Sequence, residues 1–168
     1  MKTAVVRIDN RLVHGQILES WVPFLRAAKI IVVNDKVASD LFMESVIKMA
    51  VPRGIEVSVY EVEEFAKSYA GSTAVDRDTI ILFESINDVI HAYQWGFRFD
   101  ALNIGNVANS GSDKRCVVTH IFMNAAEIDG LMMFVNNGID VEVRGVPTDK
   151  PVPFLSAVKE MQERARAV

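Results

Sequence analysis

The chain has 168 residues, a single cysteine and a formal net charge of −4, and half of its residues are hydrophobic. That length suits one domain with a substantial core, expected to span residues 1–168, and the acidic balance argues against nucleic acid, which draws a basic patch. One cysteine excludes an internal disulfide and a cysteine-based zinc cluster, no apolar run reaches spanning length, and Met1-Lys2 leads straight into a strand pattern, so a cytoplasmic protein without direct membrane insertion is expected.

In chain order, Thr3 to Ile8 is rich in β-branched residues and reads as a buried strand, while Ile17, Trp21 and Leu25 recur at helical spacing. Lys29 to Asn34 reads as a second strand. Ser39 to Ala50 reads as a helix with Phe42, Val46 and Met49 on one face, ended by Pro52 and Gly54. Ile55 to Tyr60 alternates as a strand, Val62 to Tyr69 is helical, and Gly71 to Asp78 is a polar connection before the strand Thr79 to Phe83. Ser85 is placed to cap a helix through Val89 and Tyr93. Ala101 to Ile104 is a short strand, and Gly105 to Lys114, rich in Gly, Asn and Ser, is expected to be a flexible loop. The last third supplies a strand at Val117 to Ile121, a helix at Asn124 to Asn136 ended by Gly138, a strand at Ile139 to Val143 and a helix at Pro151 to Ala165. This alternation predicts a single-domain α/β fold, an open and mostly parallel sheet with helices on both faces, in which some later strands run antiparallel.

Several residues carry structural readings only. Cys116 beside Val117 and Val118 reads as a small buried or half-buried thiol. His91 lies within a helix and His120 inside or at the end of a strand, without metal-ligand spacing, so neither a metal nor another cofactor is expected. Trp21 and Trp95 fit helix faces, Met132-Met133-Phe134 fits core, and the charges of Lys159 to Arg166 alternate on a solvated helix face.

Ligands of open parallel sheets bind beyond the carboxyl ends of strands, near a switch in strand order. Four segments fall there: Asp9 to His14, Asn34-Asp35, Glu84-Ser85 and Gly105-Asn106. Asn34, Asp35 and Ser85 read equally well as caps and turn residues. The first segment carries the chemistry. His14 and Gly15 join the first strand to the first helix, where the N–H groups of Gly15 and Gln16 lack intrahelical partners and can hold an anion beside the imidazole. Arg11 adds a guanidinium whose planar fork matches phosphate oxygens. An imidazole near its ordinary pKa is neutral enough to attack phosphorus, with Arg11 as the clamp and no metal needed. Asp9 either orients Arg11 or the imidazole, or caps the loop backbone, and Arg7, still inside the strand pattern, reads as structural. A non-catalytic module binding a small anion at this rim would use the same groups.

Arg7-Ile8-Asp9-Asn10-Arg11-Leu12-Val13-His14-Gly15-Gln16, followed by Trp21, resembles the IIB subunits of the mannose/fructose/sorbose family of bacterial sugar phosphotransferase systems (PTS). Ile31 to Ala38, Leu102 to Asn106 and Val143 to Asp149 look like that family's later landmarks in the same order, so the resemblance covers nearly the whole chain. At Gly105-Asn106 this chain has asparagine where many members carry a second glycine. The resemblance implies a phosphotransferase whose His14 receives phosphate from a histidine of a IIA phosphocarrier protein or domain. It further implies transfer to a sugar presented by membrane IIC and IID subunits, which would hold the chain peripherally at the inner face of the membrane. A regulatory protein phosphorylated at His14 but serving no transporter is the competing reading within the same chemistry.

Overall fold

Runs such as Thr79–Phe83 and Ile30–Val33 are apolar on both sides, and a strand of that kind is stable only with both faces covered. The computed structural model describes residues 5–71 and 78–167. In it, β1 (Val5–Asp9), β2 (Lys29–Val33) and β4 (Thr79–Phe83) run parallel at the centre of a seven-stranded sheet. β3 (Glu56–Tyr60) forms one edge beside β2. On the other side of β1 come β5 (Ala101–Asn106) and β8 (Asp140–Val143), both parallel, and then the short antiparallel β9 (Val152–Pro153). The order is β3-β2-β4-β1-β5-β8-β9.

One face is covered by a π-helical turn at Ile17–Trp21 with α1 (Val22–Leu25), α2 (Asp35–Ala38) and α3 (Leu41–Ala50), packed around Ile30, Val32, Ile80 and Leu82. The other is covered by α4 (Val62–Ser68), α5 (Ile86–Gln94), α6 (Ala125–Asn136) and α7 (Phe154–Arg166), whose Phe65, Val89, Phe134 and Phe154 sit on the larger core cluster. The chain leaves β1 towards β2 and leaves β5 towards β8, in opposite directions, which opens a crevice above the carboxyl ends of these two neighbours. Among the described residues no helix is long and apolar enough to cross a membrane.

Five local expectations change. Val117 to Ile121 is not one strand: β6 (Arg115–Val118) and β7 (Ile121–Met123) form an antiparallel hairpin, with His120 at its turn in a left-handed conformation (φ 65°). Gly105 and Asn106 belong to β5, and Val107 bridges to Ile121, so the irregular loop starts later than its composition suggests. Val152–Pro153 pairs with β8 before the last helix begins at Phe154. Cys116 is exposed, because the hairpin turns that side of β6 outward. In α3 only Ile47 is buried, while Phe42 (74%) and Met49 (85%) face outward. Its apolar residues run nearly all round the helix, so periodicity alone does not choose the inner face. Residues 3 and 4 of the first predicted strand and residues 72–77 of the polar connection lie outside the described residues.

Candidate functional site

Strand β1 places Arg7 and Asp9 on the same side of the sheet, two residues apart, and both are fully buried. Beyond Asp9 the chain turns tightly: Leu12 N–H donates to the Asp9 carbonyl at 2.9 Å and Leu12 adopts φ 54°. A left-handed leucine is strained by about 1–2 kcal/mol, and here burial of its side chain in the core beside Ile17 and Trp21 offsets that cost. The turn brings His14 back over Asp9.

The Asp9 carboxylate is saturated. Its Oδ2 accepts from Arg7 (2.9 Å), from Arg11 (3.2 Å) and, at 3.1 Å, from Nε2 of His14, while Oδ1 accepts from the Arg11 backbone N–H (3.2 Å) and Nε (3.0 Å). On the other side of the ring, the Gln16 N–H donates to Nδ1 at 3.3 Å. These partners assign the tautomer, with the proton on Nε2 and the lone pair on Nδ1. Asp9 is pushed up by burial, but the Arg11 hydrogen bond, the Arg7 charge and His14 outweigh this and hold its carboxyl below the usual range. Burial also lowers the His14 pKa. The bond and charge of Asp9 oppose that, and the Arg11 and Arg7 charges reinforce it, so the ring is neutral at pH 7.

Arg11 is 40% exposed and reaches from Asp9 to the side-chain oxygen of Gln16 at 2.9 Å. Both residues line a cleft of about 390 Å³ with Gly105 and Asn106 from β5. His14 and Asp9 do not line it themselves but are hydrogen-bonded to Gln16 and Arg11, which do. The opposite wall is formed by His120 of the hairpin turn and by Arg144 to Lys150 after β8. Arg144 braces that wall internally, with Nε donating to the Asp149 carbonyl at 3.0 Å.

The structure thus gathers Asp9, Arg11, His14, Gln16, Gly105 and Asn106 around the β1/β5 crevice, with Gly15 exposed at the helix start. It does not bring in Asn34, Asp35 and Ser85. Asn34 and Ser85 cap α2 and α5, Asp35 accepts from the Val62 N–H at 2.8 Å, and the Asn34 amide bonds Glu84 at 2.5 Å. Sequence reasoning missed the far wall. Arg144 and Lys150 follow a strand that the rim rule would have included, whereas nothing local announced that His120 sits in a turn.

The fold is shared with the IIB domain of the sorbose permease from Klebsiella pneumoniae. The two superpose with a TM-score of 0.82 at 28% identity, over 95% of this chain and 98% of that one. The fructose-specific EIIB component of Bacillus subtilis is 25% identical over 161 residues, 96% of this chain and 98% of that protein. The mannose-specific EIIAB component of Escherichia coli K12 is 26% identical over 163 residues, and the chain spans about half of that protein's length. The chain belongs to the PTS sorbose subfamily of IIB components, whose family model matches residues 3–167.

Proposed function

We propose that residues 1–168 act as a IIB phosphocarrier unit that takes a phosphoryl group onto Nδ1 of His14 and passes it to a sugar. The Nδ1 lone pair attacks the phosphorus of a phosphohistidine on a IIA protein, a new N–P bond forms, and the donor's P–N bond breaks with its electron pair returning to the donor imidazole. The phosphorylated ring carries positive charge, which the ionised Asp9 on Nε2–H stabilises. Arg11 turns its outer edge from the Gln16 side-chain oxygen to the phosphoryl oxygens, and the Gln16 N–H, freed as Nδ1 bonds phosphorus, becomes a further donor. In the second step a sugar hydroxyl oxygen attacks phosphorus, its proton leaves to a base on the sugar-binding side, and the N–P electrons return to Nδ1. The acceptor sugar is presented by membrane IIC and IID partners, which hold the chain at the inner face of the membrane.

The observation that carries this reading is the 3.1 Å contact between Asp9 and Nε2, which leaves Nδ1 as the unprotonated nitrogen, its lone pair met only by the Gln16 N–H at 3.3 Å. Incubation with a phosphorylated IIA protein should give one acid-labile phosphate, mapped to His14. His14→Ala should abolish it, and His91→Ala and His120→Ala should retain it. Labelling that survives in His14→Ala overturns the assignment, and reversible phosphate binding without covalent incorporation would instead indicate an anion-binding module.

A further inference from the structure

A buried arginine inside a strand is costly unless its donors find partners, and among the described residues four of the five Arg7 donors do, Nε alone lacking one. Arg7 is fully buried in β1, and its guanidinium reaches both walls of the crevice. One terminal nitrogen donates to Asp9 Oδ2 (2.9 Å) and to the Gly145 carbonyl (2.9 Å). The other donates to the Arg144 carbonyl (2.9 Å) and to the Asn103 side-chain oxygen. Asn103 is itself held, because its amide donates to Glu142 of β8 at 3.0 Å. The Trp21 ring lies 5.0 Å from the guanidinium, and its Nε1–H donates to the same Gly145 carbonyl at 3.0 Å. Gly105 leaves room for this arrangement, since a Cβ there would overlap the guanidinium. A polar chain therefore crosses three strands, from Glu142 through Asn103 and Arg7 to Asp9 and His14.

We propose that Arg7 is a positioning residue for phosphoryl transfer: it fixes the Asp9 carboxylate on Nε2 of His14 while holding residues 144 and 145 of the far wall. One planar group thereby sets both the ring's tautomer and the width of the cleft. A guanidinium suits this arrangement, because its rigid fork offers two terminal nitrogens to four acceptors, whereas a lysine has three donors on one flexible point. Asn103 acts through Arg7 by taking one of its donors.

The inference rests on the phosphocarrier reading, and the test separates the two. Wild type, Arg7→Lys, Asn103→Ala and the double variant are compared by cooperative thermal unfolding, by phosphoryl uptake from a phosphorylated IIA protein, and by ¹⁵N chemical shifts of the His14 ring. In wild type the shifts should report one tautomer with the proton on Nε2. In folded Arg7→Lys they should move towards mixed tautomers, with uptake slowed about ten- to a hundredfold, the cost of slight misplacement at a reacting centre. Asn103→Ala should shift both readouts in the same direction by less. The double variant should be no slower than Arg7→Lys, because one residue works through the other. If Arg7→Lys does not fold, Asn103→Ala carries the test. Folded variants that keep the wild-type tautomer overturn the proposal whatever their rates, as does wild-type uptake in both single variants. Failure of wild type to take phosphate at His14 defeats the phosphocarrier reading alone, and the ring shifts then still decide whether Arg7 orients the imidazole.

Discussion

A histidine nucleophile must be unprotonated, and burial together with the Arg11 and Arg7 charges favours this in His14 against the opposing pull of Asp9. The folded-state pKa of His14 lies below its ordinary 6.5, first because of desolvation and then because two guanidiniums stand nearby. As pH falls, the unfolded chain therefore takes up this proton before the folded one. Stability linked to His14 is full above 6.5 and declines from there downward, through the folded value. Asp9, also depressed, contributes stability that is present above its ordinary 3.8 and lost only at more acid pH. An NMR titration of the His14 ring should give a midpoint below 6.5, with the neutral ring persisting into mildly acid solution. A midpoint at or above 6.5 would mean that Asp9 outweighs burial and the arginines. Arg11 offers a second measurement. Its side chain is 40% exposed, so replacing it costs little stability, yet lysine lacks the fork. Arg11→Lys should melt as wild type and transfer phosphate one to two orders of magnitude more slowly, equivalent to about 1.4–2.8 kcal/mol of transition-state stabilisation. Wild-type transfer rates would remove Arg11 from the site.

At the scale of elements, β1 and β5 meet at a bulge. The register passes from Ile8 opposite Ile104 to Asp9 opposite Asn106, which leaves Gly105 as the extra residue beneath the Arg7 guanidinium. Gly105→Ala should therefore destabilise by about 2–3 kcal/mol in chemical denaturation, because the buried fork has nowhere to withdraw. Gly15→Ala is the control, since a Cβ at Gly15 meets nothing within 4 Å. Equal losses at the two positions would contradict the close packing at Gly105. The central strands were legible because apolar runs such as Thr79–Phe83 admit no other half-exposed reading, and the helix starts were legible because Ser85 and Asn124 are cap residues that accept from backbone N–H groups. The His14 segment was legible because its residue types converge on one chemistry. Gly105 was read as loop because glycine signals both turns and close approach, and only Arg7, 98 positions earlier in the chain, decides between them. His120 reads as inside or at the end of a strand because Val-Val-Thr-His-Ile carries no turn dipeptide. The far wall at Arg144 depends on β8 lying beside β5, a pairing that no local pattern prints.

Over the whole molecule the charge is −4, yet the cleft lining carries Arg11, Arg144 and Lys150 against the carboxylate of Asp149, and the buried Asp9 behind Arg11 is matched by Arg7. The local sign opposes the global one, so an anionic surface is drawn to this face rather than to the rest of the molecule. A carrier has to release its donor before it meets its acceptor, and charge supplies a means. The phosphoryl oxygens bring roughly −1.5 to −2 at neutral pH, and the positive charge taken up by the ring leaves a net change of about −1, enough to weaken the cleft's positive potential. An anionic docking surface on a IIA partner, drawn to the empty cleft, would then be held less firmly once the phosphoryl group has moved. His14→Glu places part of that charge at the same position. Titrating a IIA protein against wild type and His14→Glu should show weaker binding to the variant at low ionic strength, with the difference shrinking as salt screens the cleft. His14→Ala, which removes the ring without adding charge, should bind as wild type. If wild type and His14→Glu bind equally at low and high salt, release is not driven by charge, and the transfer order must be set by shape or by the affinity of the next partner.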